Sequence, residues 1–197
     1  MMRGKSHPDR QQGFTLIETM IAIAIMTIGI VSMLAVFGTA VAATQNAQAN
    51  LIARQKALET MESIYTARNT QQISFAQIGN ISGGGIFTDG PTQLLSAGPD
   101  GLVNTADDLP FPAAGNCPPG PECITLPGSD GILGTPDDSA MSLSNFRRQI
   151  QIGPVLESDG VTVDPNLKQI TVTVSYFTGG SPIPRAYTVN ALISAFR

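Results

Sequence analysis

Between Phe14 and Ala43 the chain carries no Lys, Arg, Asp or Pro, and Glu18 is the only ionisable side chain. About 20 apolar residues suffice to cross a bilayer, so this stretch is long enough to span one with some to spare. A carboxylate inside such a span is costly and marks a functional position. Ahead of it, Met1 to Gly13 holds Arg3, Lys5 and Arg10 against Asp9. By the positive-inside rule this short head stays in the cytoplasm and the rest of the chain faces outward. In a secretory signal the small residues follow the apolar core, whereas here Gly13 precedes it. Cleavage after Gly13 would remove only residues 1–13 and leave the apolar helix in place, beginning at Phe14. The simplest alternative is a plain anchor whose Glu18 snorkels to the interface.

The run Gly13-Phe14-Thr15-Leu16-Ile17-Glu18, preceded by Lys5 and Arg10 and followed by the apolar segment, resembles the amino-terminal signature of type IV prepilins and of type II secretion pseudopilins. With Ile28-Gly29-Ile30-Val31 and a long polar continuation, it looks closest to PilV-like minor pilins. The resemblance implies a prepilin peptidase that cuts after Gly13 and methylates the new amino terminus at Phe14. It also implies that Glu18 neutralises the amino terminus of a neighbouring subunit in a fibre core. There a buried carboxylate and a buried ammonium, each costly alone, become tolerable as a pair. The implied partners are other pilin subunits, prepilin peptidase, the inner-membrane assembly machinery and the membrane itself. The implied location is a single pass through the inner membrane with a periplasmic head, and afterwards a pilus fibre at the cell surface. Many major pilins carry a proline at the position of Ala35, and this chain departs from that pattern.

After Ala43 the composition turns polar, yet no Pro occurs until Pro91. Leu51, Leu58, Met61, Ile64 and Tyr65 recur at helical spacing, which predicts an amphipathic continuation over 44–69. The whole helix would be on the order of 80 Å long at 1.5 Å per residue. Arg54, Lys56, Glu59, Thr60 and Glu62 are expected on its solvated outer side. Residues 70–197 make one modest head. Its strongest strands are expected at Phe146 to Ile152, Lys168 to Phe177 and Arg185 to Phe196. In the second, Ile170, Val172, Val174 and Tyr176 alternate with Thr171, Thr173, Ser175 and Phe177, the period of a half-buried strand. Thr178-Gly179-Gly180-Ser181-Pro182 supplies a turn that returns the chain antiparallel. The fold class expected is α+β and pilin-like: one long N-terminal helix, transmembrane in its first half, on a small antiparallel sheet with a long irregular Asp/Gly-rich insertion.

That insertion, from Asn69 to Asn145, contains no Lys or Arg but eight Asp and Glu residues. Within it Gly98-Pro99-Asp100-Gly101-Leu102-Val103-Asn104-Thr105-Ala106-Asp107-Asp108 recurs as Gly128-Ser129-Asp130-Gly131-Ile132-Leu133-Gly134-Thr135-Pro136-Asp137-Asp138. Calcium suits such loops, because a hard cation takes several oxygens and Gly permits the sharp turn. The expected Ca2+ ligands are Asp100, Asn104, Asp107 and Asp108 in the copy at 98–108, and Asp130, Asp137 and Asp138 in the copy at 128–138. The pattern resembles the Asp-Gly calcium loops of bacterial surface proteins and lacks the Asp spacing of an EF-hand. The competing reading is a pair of turns in which each Asp caps its own backbone.

Cys117 and Cys123 frame a short Pro-rich loop, and two cysteines in an exported head are expected to pair. Catalysis finds no support, since the only histidine, His7, lies in the leader. The leader also holds three of the 11 Lys and Arg but one of the 15 Asp and Glu. The processed chain is therefore more acidic, the wrong sign for direct nucleic-acid binding. Arg147 and Arg148 form one basic spot, expected to protect a strand edge. The function expected is a structural, minor subunit of a type IV pilus. The alternatives are a type II secretion pseudopilin and a calcium-dependent adhesive module carried on a fibre.

Overall fold

The computed structural model describes residues 14–113, 117–178 and 183–196. The chain divides into two compact units, one ending at Thr44 and one beginning at Gln45. Helix α1 (Leu16–Asn69) contributes to both. In the first unit it is apolar over a window long enough to cross a membrane, and none of that window is buried.

In the second unit the helical residues Ile52, Ala53, Ala57, Met61, Ile64 and Ala67 are buried against the head. Leu51 and Leu58, which the helical spacing placed on this inner stripe, point the other way and are exposed, while Lys56 and Thr60, expected outside, are buried. The reason is steric. Ala53 and Ala57 are wholly buried, and a face of small side chains lets a helix approach its partner more closely than a face of leucines. The outer side thus keeps Arg54, Glu59 and Glu62, as expected.

Among the described residues the head has six strands: β1 (Thr92–Gln93), β2 (Cys123–Leu126), β3 (Ser139–Ser142), β4 (Phe146–Leu156), β5 (Val163–Tyr176) and β6 (Arg185–Ser194). They form a four-stranded sheet in the order β1-β4-β5-β6 and a two-stranded hairpin β2-β3. Each pairing is antiparallel, so the architecture is the α+β arrangement anticipated from the alternation. Ile170, Val172, Val174 and Tyr176 are all buried, as the period-2 pattern requires. Val172 pairs with Ile150 on one side and Val189 on the other. The strands differ at their ends from the expected spans: β4 and β5 extend to Leu156 and back to Val163, and β6 stops at Ser194. The turn expected at 178–182 lies largely outside the described residues.

Helix and sheet are joined by polar contacts as well as by the core. Tyr65 donates its hydroxyl to the Leu192 carbonyl at 2.6 Å, and Arg68 donates to the Ala195 carbonyl at 2.9 Å. Asn50 donates to the Tyr176 hydroxyl at 3.2 Å, and the Tyr176 ring stacks on Phe146.

The outer flank of β4 is closed by loops. Thr92 and Gln93 pair with Arg148 and Arg147. Further along, the Asn80 carboxamide donates to the Ile150 carbonyl and accepts from the Ile152 amide, both at 2.8 Å. One side chain thus mimics a peptide group in the ladder. Pro154 has no amide hydrogen to add to this flank, while on the other side the ladder to β5 shifts register beside it and continues to Leu156.

Candidate assembly helix and Asp-Gly loops

At the start of α1, the Thr15 hydroxyl accepts from the Glu18 amide at 3.4 Å, the contact of an N-cap residue. Glu18 is the acidic residue of the first turn, where the partial positive charge of a helix N-terminus favours a carboxylate by about 0.3–1 kcal/mol. Glu18 and Phe14 are exposed, as are the long aliphatic side chains from Leu16 to Val41. A surface of this size and polarity is stable only in lipid or against other apolar helices. The proposed cleavage residue Gly13 lies outside the described residues.

The two Asp-Gly repeats fold into one loop geometry used twice. In loop 1, residues 98–108, the Asp100 carboxylate accepts from the Leu102 amide at 2.8 Å, and Asp107 accepts from the Asp100 amide at 3.3 Å. The Thr105 hydroxyl sits 2.7 Å from Asp107 and 3.0 Å from Asp108, which also accepts from the Asn104 amide at 2.7 Å. In loop 2, residues 128–138, Asp130 accepts from Ile132 at 2.8 Å, Thr135 donates to Asp137 at 2.7 Å, and Gly134 donates to Asp138 at 2.6 Å. The opening glycine is sterically required in both. A Cβ on Gly98 would lie 2.3 Å from the Asp107 carbonyl oxygen, and one on Gly128 would lie 2.2 Å from the Asp137 carboxylate. Asn104 and Gly134 occupy the same left-handed position, with φ of 63° and 91°, which accounts for this pair of residue types at one site of the repeat.

These contacts set the acidities. Hydrogen bonds, foremost from Thr135 and then Ser129, pull the Asp137 carboxyl down to about 2. The Thr105 hydroxyl likewise lowers Asp107, while burial raises Asp108 against the hydrogen bonds it accepts. The structure thus brings Asp107 and Asp108 together on Thr105, and Asp137 and Asp138 on Thr135. Asp100 and Asp130 cap their own turns. Asn104 points instead to the sheet, where its carbonyl oxygen accepts from Arg148 Nε at 2.6 Å. Among the described residues no three His, Cys, Asp or Glu side chains converge as a group that would hold a metal ion.

Arg148 corrects the expectation of a basic strand edge. It is buried, on a strand that runs between β1 and β5, because the alternation Phe146, Arg148, Ile150 turns it inward. Burial lowers its pKa, against the raising influence of Asp108, Glu122 and Glu59. Nearby, Lys56 reaches Glu122 at 2.5 Å and Glu59 at 2.9 Å. Burial alone would push Lys56 down, but the two carboxylates outweigh it and the net shift is upward. The sequence reading missed this ion cluster. The inward phase of β4 was the one signal that pointed to Arg148, whereas Lys56 and Glu122 are 66 residues apart. Cys117 and Cys123 form a disulfide with 6.2 Å between their Cα atoms, which closes a loop directly onto the start of β2.

Set beside known proteins, residues 8–34 match the family model of a prokaryotic N-terminal methylation motif. The chain therefore carries a type IV prepilin-type signature, which indicates a type IV pilin-like or pseudopilin protein of a structural kind. The motif implies processing by prepilin peptidase and assembly with other pilins, and the apolar helix that follows fits a membrane-anchored pilin. No curated protein and no solved structure matches the chain.

Proposed function

We propose that this chain is a minor structural subunit of a type IV pilus, cut between Gly13 and Phe14, methylated on Phe14, and drawn from the inner membrane into a helical fibre. The observation that carries the reading is the conjunction at the N-terminus: a methylation motif opens a helix whose apolar window is wholly unburied. Glu18 is the only ionisable side chain from Phe14 to Ala43. In lipid that carboxylate is costly, and the amino terminus of a neighbouring Phe14 supplies the charge that offsets it. Apolar faces leaving the bilayer then bury one another, and the ion pair selects the register.

The test is incorporation. Glu18→Ala and Glu18→Lys are expected to leave membrane insertion intact and to abolish appearance of the subunit in sheared fibres, followed by immunogold labelling and blotting. Normal incorporation of both variants defeats the proposal. Labelling that is confined to the envelope of secreting cells, with fibres unlabelled, assigns the chain to a secretion apparatus as a pseudopilin instead.

A further inference from the structure

The two edges of the four-stranded sheet are finished differently. On β4 the outward rungs are taken by β1 and Asn80, whereas among the described residues no strand lies beyond β6. The phase of β6 follows from its pairing. The Ala195 amide donates to the Asn166 carbonyl at 2.8 Å, next to the pair of Leu167 with Ser194. Peptide groups alternate in direction along a strand, so those of Tyr187, Val189, Ala191 and Ile193 point to β5 and those of Ala186, Thr188, Asn190 and Leu192 point away. Two contacts agree with this phase. The Leu192 carbonyl is free to accept from Tyr65. The side chains of Thr188 and Asn190 meet those of Thr173 and Thr171 at 3.0 and 2.9 Å, the closer approach of cross-strand pairs that share no backbone bonds.

Apart from the Leu192 carbonyl, the outward amides and carbonyls from Ala186 to Leu192 have no partner among the described residues. Ala186, Thr188, Asn190 and Leu192 are all exposed. Strand edges are ordinarily blunted by proline, a bulge or several charges. β6 has no proline, its pairing with β5 runs without a register shift, and Arg185 is its one charge. Beside the free rungs, Tyr187, Val189 and Ala191 are half-buried and pack on the core, which leaves an apolar shoulder along the edge. The charge of this corner has one sign. Residues 165–197 hold no Asp or Glu, in a chain that has 15. Lys168 lies in β5, Arg185 opens β6, and Arg68 donates to the Ala195 carbonyl. Acids on the adjoining elements are committed elsewhere. Asp164 caps the Asn166 amide beyond the last rung of β6, Glu59 pairs with Lys56, and Glu62 lines a groove that α1 forms with Gly101 and Leu102 of loop 1.

We infer that the outer edge of β6 takes up, by strand addition, an extended segment of a different protein in which aliphatic and acidic residues alternate. Backbone hydrogen bonds to Ala186, Thr188 and Asn190 supply the attachment. Aliphatic side chains of the added strand cover Tyr187 and Val189, and its carboxylates answer the basic corner, which selects among strands. A second copy of β6 brings Arg185 and no acid, so self-pairing lacks that complement. The β4 flank is closed, so addition is confined to this side. The inference stands on the head alone, and its failure leaves the fibre reading untouched.

The experiment uses the detergent-solubilised full chain and two synthetic peptides, one of alternating Val and Glu and one of alternating Val and Lys. The readout is amide hydrogen exchange along β6. With the Val-Glu peptide at about ten times its Kd, exchange at Ala186, Thr188 and Asn190 should slow by about tenfold. Tyr187 and Val189, already bonded to β5, should be unchanged, and the Val-Lys peptide should have no such effect. This alternating pattern is read in the wild-type chain and needs no variant. Thr188→Pro removes only an outward amide, a position where an edge strand tolerates proline. It should melt close to wild type and abolish the slowing at Ala186 and Asn190. Arg185→Glu should weaken the effect of the Val-Glu peptide. Exchange that the Val-Glu peptide leaves unaltered overturns the inference, as does equal slowing by the Val-Lys peptide. Protection of the same amides that rises with the concentration of the chain alone overturns it too, because a second copy is then the occupant.

Discussion

Lys56 holds two carboxylates of opposite character, and that difference makes a quantitative prediction. Its side chain is 11% exposed; Glu122 is 15% exposed and Glu59 is 61% exposed. Removing one partner of a buried pair leaves the other charge uncompensated, at a cost of about 3–5 kcal/mol where burial is complete. With the residual exposure here, Lys56→Met is expected to cost about 3 kcal/mol. For a chain of this size that lowers the melting temperature by roughly 6–12 °C. Glu59→Gln removes only an exposed pair and is expected to cost under about 0.5 kcal/mol. Replacing both Lys56 and Glu122 by Met removes the stranded charge, so the double variant should recover about 2 kcal/mol relative to the sum of the single ones. The assay is calorimetric melting of the detergent-solubilised full chain at neutral pH. The reasoning fails if Glu59→Gln destabilises as much as Lys56→Met, or if Lys56→Met and Glu122→Met simply add. The pH dependence follows from the sign of the shift. Lys56 is raised in the fold, so its contribution is fully present below the ordinary lysine value of 10.5 and is lost as pH rises through the folded value. The gap between wild type and Lys56→Met should therefore close in strong alkali.

Asn80→Leu should cost about 2 kcal/mol, because it leaves the Ile150 carbonyl and the Ile152 amide without partners. Hydrogen exchange at Ile152 reads the change directly, and unaltered protection there would argue against the side chain as a rung of the ladder. Asp137 is depressed to about 2, so its stabilisation of loop 2 is present above the ordinary carboxylate value of 3.8 and is lost as pH falls toward 2. Thr135→Val should move the Asp137 midpoint upward by NMR titration, and an unmoved midpoint would remove the hydroxyl as its cause. Calcium titration by calorimetry addresses the coordination expected of Asp100, Asn104, Asp107, Asp108, Asp130, Asp137 and Asp138. Binding heat that disappears in Asp107→Asn with Asp137→Asn supports coordination, whereas a flat titration with unchanged melting assigns these carboxylates to turn capping alone.

The parts of the fold that were legible in the sequence are those written in local periodicity. The helix ends at Asn69 as the pattern indicates, and the alternation from Ile170 to Tyr176 gives the buried face of β5 residue by residue. The inner stripe of α1 was not legible from hydrophobicity, because contact distance decided it: Ala53, Ala57 and Thr60 won the interface, and Leu51 and Leu58 were left outside. Arg148 was misread for a related reason. Whether β4 is an edge depends on Thr92 and Gln93, a strand of two residues more than fifty positions away, and no window along the chain reveals such a partner. In the candidate sites, the repeat predicted one geometry used twice. The opposite burial of Leu102 and Ile132 arises from which loop meets the helix, which is a tertiary fact.

The closed flank of β4 bears on what happens when many copies of this head are crowded together. An unpaired strand edge is a template on which another chain can extend a sheet without limit. On β4 the rungs from Arg147 to Ile152 are taken by Gln93, Thr92 and the carboxamide of Asn80, and Pro154 offers no donor for the next. At the far end of the sheet, Tyr65 occupies the Leu192 carbonyl of β6. Across the β4 flank, two heads can stand side by side without the sheet of one running on into the sheet of the other. Order on that side is then left to contacts between side chains, which have a fixed stoichiometry, and not to backbone growth, which has none.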